Sequence, residues 1–325
     1  MSDTETRDEG LVEAGRAVSD PDVPRFAPPR EPDRSGVLTG TRDHGIWYGI
    51  WHPAGRAEPD RGTVVLVHGF GEYTGRLGQL IRALNGHGYT VVAPDVRGHG
   101  RSEGARFRIS RFDDFVEDLD LIVDIAREAA ERRGTGDRSP FLFGHSMGGL
   151  IATRYVLALP DQQELAGLIL SSPALQLPID PPPPVYRLLG GLSRLVPRLP
   201  IPRDNTAGLS SDPEIARLWK LDPLLNHGPT SLQMAYQMAA AGRNARQRLD
   251  RITLPTLLIY GEADTVVVPA GSRTFADRVG SADLTVRPFP GLLHETFNEP
   301  AGPEIIAGVV GWLDEQVARC SRATV

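Results

Sequence analysis

Phe141-Leu142-Phe143-Gly144-His145-Ser146-Met147-Gly148-Gly149-Leu150-Ile151-Ala152-Thr153-Arg154-Tyr155-Val156 joins a short apolar run to a longer, helix-compatible apolar run through Gly-x-Ser-x-Gly. A strand that ends abruptly on such a turn and reopens as a helix holds its serine in a strained, exposed conformation. Small residues two before and two after it let the backbones pass closely. The segment therefore reads as strand, nucleophile turn and helix, and Ser146 is the candidate nucleophile.

The pattern occurs a second time, at Gly100-Arg101-Ser102-Glu103-Gly104. There it follows a glycine-punctuated loop, Val96-Arg97-Gly98-His99-Gly100, and precedes the polar Ala105-Arg106-Phe107-Arg108. Without a strand before it or a helix after it, Ser102 lacks the context that the chemistry needs. With 35 glycines in the chain, a chance match is unsurprising.

Further strand-length apolar runs are Thr63–His68, Tyr89–Pro94, Leu165–Ser171, Pro255–Tyr260 and Leu284–Phe289, most opening into helix-like stretches. Unalternated apolar strands suggest a sheet buried on both faces, and strand–helix alternation suggests a mostly parallel one, so the expected fold class is α/β. Val37–Thr41 and Ile46–Trp51, separated by Asp43-His44-Gly45, read as an antiparallel hairpin ahead of it. Residues 36–171 and 253–320 are expected to form this core.

Residues 172–252 break the rhythm with four consecutive prolines, Pro181 to Pro184, then helix-like segments at 185–196, 213–220 and 229–248 without a convincing strand. They are expected to form a helical cap inserted over one end of the sheet. Residues 1–35 are acidic and proline-rich with few apolar positions, and are expected to be a disordered or loosely attached arm.

Composition narrows the partners. A net charge of −6 gives no basic footprint for nucleic acid. The single cysteine, Cys320, cannot form an internal disulfide. The start, MSDTETRDEG, lacks the cationic and apolar stretches of an export signal, and no apolar run approaches the roughly 20 residues that span a bilayer, so a cytoplasmic location is expected. The spacing of His and Cys suggests no metal, and no cofactor is expected. Oligomeric state has no signature here.

A serine hydroxyl needs a base, and in this architecture the chain order is serine, acid, histidine. Of eight histidines only His227 and His294 lie well downstream of Ser146. His227 falls within the cap, where helix-end capping or solvent contact is expected. His294 follows the last strand and the turn Pro290-Gly291, at a strand's C-terminal end where α/β sites assemble, and is the candidate base. Asp264, at the end of the strand before, is the candidate acid, with Glu262 its nearest rival. The oxyanion donors are expected to be the backbone N–H of Met147, directly after the nucleophile, and that of Phe70 in the loop His68-Gly69-Phe70-Gly71.

These residues together resemble the monoacylglycerol lipase family of α/β-hydrolases, within the broader group that includes bacterial lysophospholipases. The resemblance spans roughly Gly36 to Val317. It rests on His68-Gly69-Phe70-Gly71-Glu72-Tyr73-Thr74-Gly75-Arg76, Asp95-Val96-Arg97-Gly98-His99-Gly100-Arg101-Ser102, Gly144–Gly149, Gly261-Glu262-Ala263-Asp264, and His294-Glu295 with Asn298-Glu299. It implies an α/β-hydrolase fold with a helical lid and hydrolysis of long-chain monoacylglycerols through an acyl-enzyme. It further implies glycerol contacts at Glu72 and Arg76, for which the alternative is a solvent-exposed Glu–Arg pair on a helix. Animal members carry a second histidine three residues after the catalytic one, where this chain has Phe297.

In the cap, Leu188, Leu189, Leu192, Leu195 and Val196 share one helical face beside Arg187, Arg194 and Arg198, which suggests either peripheral docking on lipid or packing onto the core. A lysophospholipase or broad carboxylesterase is the alternative enzyme, and a non-catalytic hydrolase-like binding protein the alternative from another class.

Overall fold

Thr63–Val67 is apolar at every position after its first residue, and each of its side chains is buried because both faces of its strand are covered. The computed structural model describes residues 24–53, 61–133, 139–202 and 206–323. In chain order the elements are β1 (Arg34–Thr39), β2 (Gly45–Trp51), β3 (Gly62–Val67), α1 (Gly78–Gly86), β4 (Tyr89–Pro94), α2 (Asp113–Arg132), β5 (Phe141–His145), α3 (Met147–Ala158) and β6 (Gly167–Ser171). Then follow α4 (Pro183–Leu195), β7 (Pro200–Ile201), α5 (Pro213–Leu221), β8 (Thr230–Ser231), α6 (Leu232–Arg246), β9 (Thr256–Gly261), α7 (Pro269–Arg278), β10 (Leu284–Phe289) and α8 (Gly302–Ala323).

Eight strands form one sheet in the order β1-β2-β4-β3-β5-β6-β9-β10. The expected hairpin is β1 and β2; β2 also joins β4 antiparallel, and all other neighbours run parallel. The strands alternate between two apolar layers. Val65, Val67, Leu142, Leu168 and Leu170 face the layer built with α2 and α3, whereas Val64, Leu66, Phe141, Phe143 and Ile169 face the layer built with α1 and α8. Burying each such side chain contributes about 1.5–3 kcal/mol relative to leaving it exposed.

From β3 the chain steps to β4 on one side and then to β5 on the other, so the order reverses between β3 and β5. The loops after these two strands diverge there and leave a crevice at the sheet's C-terminal edge. They carry the Phe70 segment and Ser146 respectively.

Helices α4, α5 and α6 lie between β6 and β9, and α6 packs on α3. The region also holds a two-residue antiparallel pair, β7 with β8, where the sequence suggests no strand; the pairing spans 30 residues and leaves no local periodicity. Residues 1–23, most of the expected acidic arm, lie outside the described residues. Residues 24–33 lie against the core: Arg82 donates to the carbonyls of Arg25, Ala27 and Pro28, and the Trp51 indole donates to that of Arg30. Arg25 also pairs with Asp212, the N-cap of α5, at 3.5 Å.

Candidate active site

Ser146 sits between β5 and α3 with φ 53° and ψ −117°, a left-handed conformation that only a tightly determined turn imposes on serine. The surroundings supply the determination. Its N–H donates to Ser171 O, and its carbonyl accepts from Leu150 and Ala174. A Cβ on Gly148 would stand 2.2 Å from the Val67 carbonyl oxygen, and one on Gly144 would stand 2.4 Å from that of Gly148, so neither position admits a side chain. Met147 is the first residue of α3, where a backbone N–H has no partner within the helix and lies at the positive end of the helix dipole.

The structure brings Ser146, His294 and Asp264 together across β5, β9 and the loop after β10. His294 Nε2 lies 2.8 Å from Ser146 Oγ, and its Nδ1 lies 2.6 Å from Asp264 Oδ2. Asp264 Oδ1 accepts the N–H groups of Val266 and Val267, which fixes the carboxylate plane. Burial alone would disfavour the imidazolium, but the Asp264 hydrogen bond and charge, with Glu295 beyond, outweigh it and raise His294 above its ordinary pKa. Glu262, the rival acid, is exposed and outside this arrangement.

His227 lies in the cap, its Nε2 against the carbonyl of Asp222 at the end of α5 and its ring edge-on to Trp219. Ser102 is buried in scaffolding: its hydroxyl accepts the Trp47 N–H and donates to the Asp95 carbonyl. Neither residue approaches the Ser146 hydroxyl through any of these bonds.

Glu72 and Arg76 do not form an exposed helical pair. Glu72 is buried, the Arg76 side chain is only 8% exposed, and Arg76 donates to both carboxylate oxygens of Glu295, at 2.8 and 2.5 Å. Glu72 turns back instead, its Oε2 accepting the Gly69 N–H at 3.0 Å. Burial and then the neighbouring Glu295 charge push the Glu72 carboxyl well above the ordinary range, toward its protonated form. Burial opposes the charge on Glu295 too, yet Arg76, the Glu72 proton and Asn298 outweigh it and hold that group ionised. Together with His145 and Asn298 these residues line a small pocket beside the nucleophile turn. The His145 ring packs 4.9 Å from that of His294 and is kept neutral by burial and by that neighbour.

Glu295 is the site residue that carries no role in the sequence reading beyond its place in a motif. Its partner Arg76 is 219 positions away, and adjacency to His294 is its one local signal. Among the described residues no cluster of His, Cys, Asp and Glu has the geometry to hold a metal ion.

A sheet of this order, carrying serine, acid and histidine after β5, β9 and β10, defines the class of α/β-hydrolase serine hydrolases. The family model described as "Serine aminopeptidase, S33" matches residues 58–301. A monoacylglycerol lipase of Mycolicibacterium smegmatis is 35% identical over 268 residues, covering 82% of this chain and 92% of that protein. The monoglyceride lipase of Mus musculus is 29% identical over 274 residues, covering 82% and 86%. The crystal structure of Paleococcus ferrophilus monoacylglycerol lipase superposes with a TM-score of 0.71 at 35% identity, covering 83% of this chain and 99% of that one. The chain belongs to this serine hydrolase family, within its monoacylglycerol lipase group.

Proposed function

We propose that this protein hydrolyses the ester bond of long-chain monoacylglycerols to fatty acid and glycerol through an acyl-enzyme. Ser146 Oγ attacks the carbonyl carbon while His294 Nε2 takes its proton, and the resulting oxyanion accepts from the N–H groups of Phe70 and Met147. His294 then gives the proton to the departing glycerol oxygen. Water, deprotonated by the same ring, releases the fatty acid and restores Ser146. Asp264 holds the ring tautomer and stabilises the imidazolium. The observation that carries the reading is the continuous 2.8 and 2.6 Å chain from Ser146 Oγ through His294 to Asp264. We assign the alcohol half of the ester to the side of the crevice nearest Glu72 and Arg76, whose own charged groups are committed to Gly69 and Glu295.

The proposal extends to the cap. Leu188 and Leu195 on α4 are 71% and 81% exposed, with Val185, Leu192 and Val196 also exposed beside them. Such a face next to arginines suits the surface of an anionic lipid aggregate, from which the substrate would be drawn. No helix among the described residues is long and apolar enough to cross a membrane.

The test is Ser146→Ala with monoolein, lysophosphatidylcholine and p-nitrophenyl butyrate as substrates. The wild type should bind a fluorophosphonate probe and turn over monoolein best, and the variant should do neither. Residual turnover above a trace would sink the mechanism, and a preference for lysophosphatidylcholine would move the substrate to the phospholipid class.

A further inference from the structure

The Gly69–Phe70 peptide, assigned above one of the two oxyanion donors, is held at its carbonyl by a buried side chain. His68 Nδ1 lies 2.8 Å from the Gly69 carbonyl oxygen, and His68 Nε2 lies 2.8 Å from Val96 N. A backbone N–H can only donate, so Nε2 is the acceptor and the ring proton resides on Nδ1, which donates to Gly69 O. Burial keeps this ring neutral, at about 4, so the tautomer persists over the working pH range. Since a trans peptide is planar, the Gly69 C=O and the Phe70 N–H point in opposite directions within one rigid unit. Fixing the carbonyl therefore fixes the direction of the N–H. A hydrogen bond to the carbonyl also polarises the amide and strengthens its N–H as a donor.

The preceding peptide is fastened as well. Gly69 N–H donates to Glu72 Oε2 at 3.0 Å, the Glu72 carboxyl hydrogen-bonds Glu295, and Glu295 is saturated by Arg76 and by Asn298 at 2.6 Å. Gly69 itself is wedged in place: a Cβ there would lie 3.1 Å from both Glu72 Oε2 and Ser146 Cβ.

We propose that His68 and Glu72 are positioning residues that clamp the two peptides of Gly69 and thereby aim the Phe70 N–H at the developing oxyanion. This rests on the oxyanion assignment made above. A clamp acts on every ester, whereas a contact with glycerol acts only on esters that contain it.

Four variants separate these roles. His68→Asn keeps a donor near the position of Nδ1 and His68→Leu removes it, while both lose the acceptor for Val96. Glu72→Gln keeps both the acceptor for Gly69 and a donor for Glu295, and Glu72→Leu keeps neither. The leucine variants should lower kcat about tenfold or more on both monoolein and p-nitrophenyl butyrate with KM within about twofold. They should weaken inhibition by a trifluoromethyl ketone, whose hemiketal oxygen takes the same donors, by a similar factor. Asn and Gln should recover most of the loss.

Leucine variants that keep kcat would overturn the clamp. So would a Glu72→Leu defect confined to monoolein, or trifluoromethyl ketone binding left intact while kcat falls. If a leucine variant does not fold, histidine ¹⁵N spectra of the wild type still decide: a proton on His68 Nε2 rather than Nδ1 contradicts the arrangement. Failure of the wild type to bind a fluorophosphonate would instead reject the serine mechanism itself.

Discussion

At the scale of single residues, the two Gly-x-Ser-x-Gly serines show how much a side chain's role depends on what the backbone does around it. Ser146 has a strained φ, a base at hydrogen-bond distance and a helix beginning at the next residue. Ser102 has its hydroxyl committed to two backbone groups, accepting from Trp47 and donating to Asp95. Ser102→Ala leaves that buried N–H and carbonyl without partners, which costs about 1–3 kcal/mol of stability. Turnover should stay within a few-fold of wild type while the denaturation midpoint falls. Loss of all esterase activity in a folded Ser102→Ala protein would contradict the scaffolding role. Strand and helix on either side of Ser146 are local features, and they separate the two serines without any long-range information. Glu295 and the His68 tautomer are different, because each is defined by partners distant in sequence, Arg76 and Val96.

At the scale of elements, α4 is the least settled by local pattern. Its amphipathic spacing is equally compatible with an apolar face turned inward or outward. In the structure Gly190 approaches the Tyr236 hydroxyl and Ser193 is buried, so these small residues face the cap interior, while Leu188, Leu192 and Leu195 face outward and Leu189 is half-buried. Replacing Leu188 and Leu195 together with Gln should reduce retention on anionic vesicles and lower turnover of dispersed monoolein. Hydrolysis of soluble p-nitrophenyl butyrate should remain within about twofold, because neither residue reaches the crevice. Equal vesicle retention of the variant and the wild type at low and moderate salt would remove lipid docking as the purpose of this face. The β7–β8 pair illustrates the same limit: two residues on each side are too few for a periodic signal.

For the whole molecule, the density of buried ionisable groups around the site links stability to pH. His68 and His145 are held neutral by burial, at about 4 and about 3, against an ordinary value of 6.5. As pH falls below 6.5 the unfolded chain takes up both protons and the native state does not, so each histidine lowers stability by up to about 1.4 kcal/mol per pH unit. Glu72 has the opposite sign. Its raised pKa means the native state keeps a proton that the unfolded chain releases above about 4.5, so its contribution to stability is lost as pH rises. His294, raised, is protonated in both states throughout this window and adds nothing. The balance between about pH 6 and 5, above the range where the unfolded glutamates titrate, is about one extra proton on the unfolded chain, hence a loss of about 1.4 kcal/mol per unit on acidification. Urea midpoints at constant m across that range test this, and midpoints that stay flat or rise on acidification would contradict it.

The amino-acid sequence by itself determined the α/β sheet, its hairpin and the strand–turn–helix around Ser146. Each of these is written in residue period and turn chemistry over fewer than about twenty positions. It also placed Asp264 and His294 at strand ends, where chain order and the crevice of a parallel sheet bring such residues together. Only the tertiary structure decided that Arg76 pairs with Glu295 rather than Glu72, that His68 and Glu72 hold Gly69, that Arg25 ties α5 to the segment packed on the core, and that α4 turns Leu188, Leu192 and Leu195 outward. Those outcomes depend on which buried polar groups must find partners once the layers close, and that requirement joins residues up to 219 positions apart.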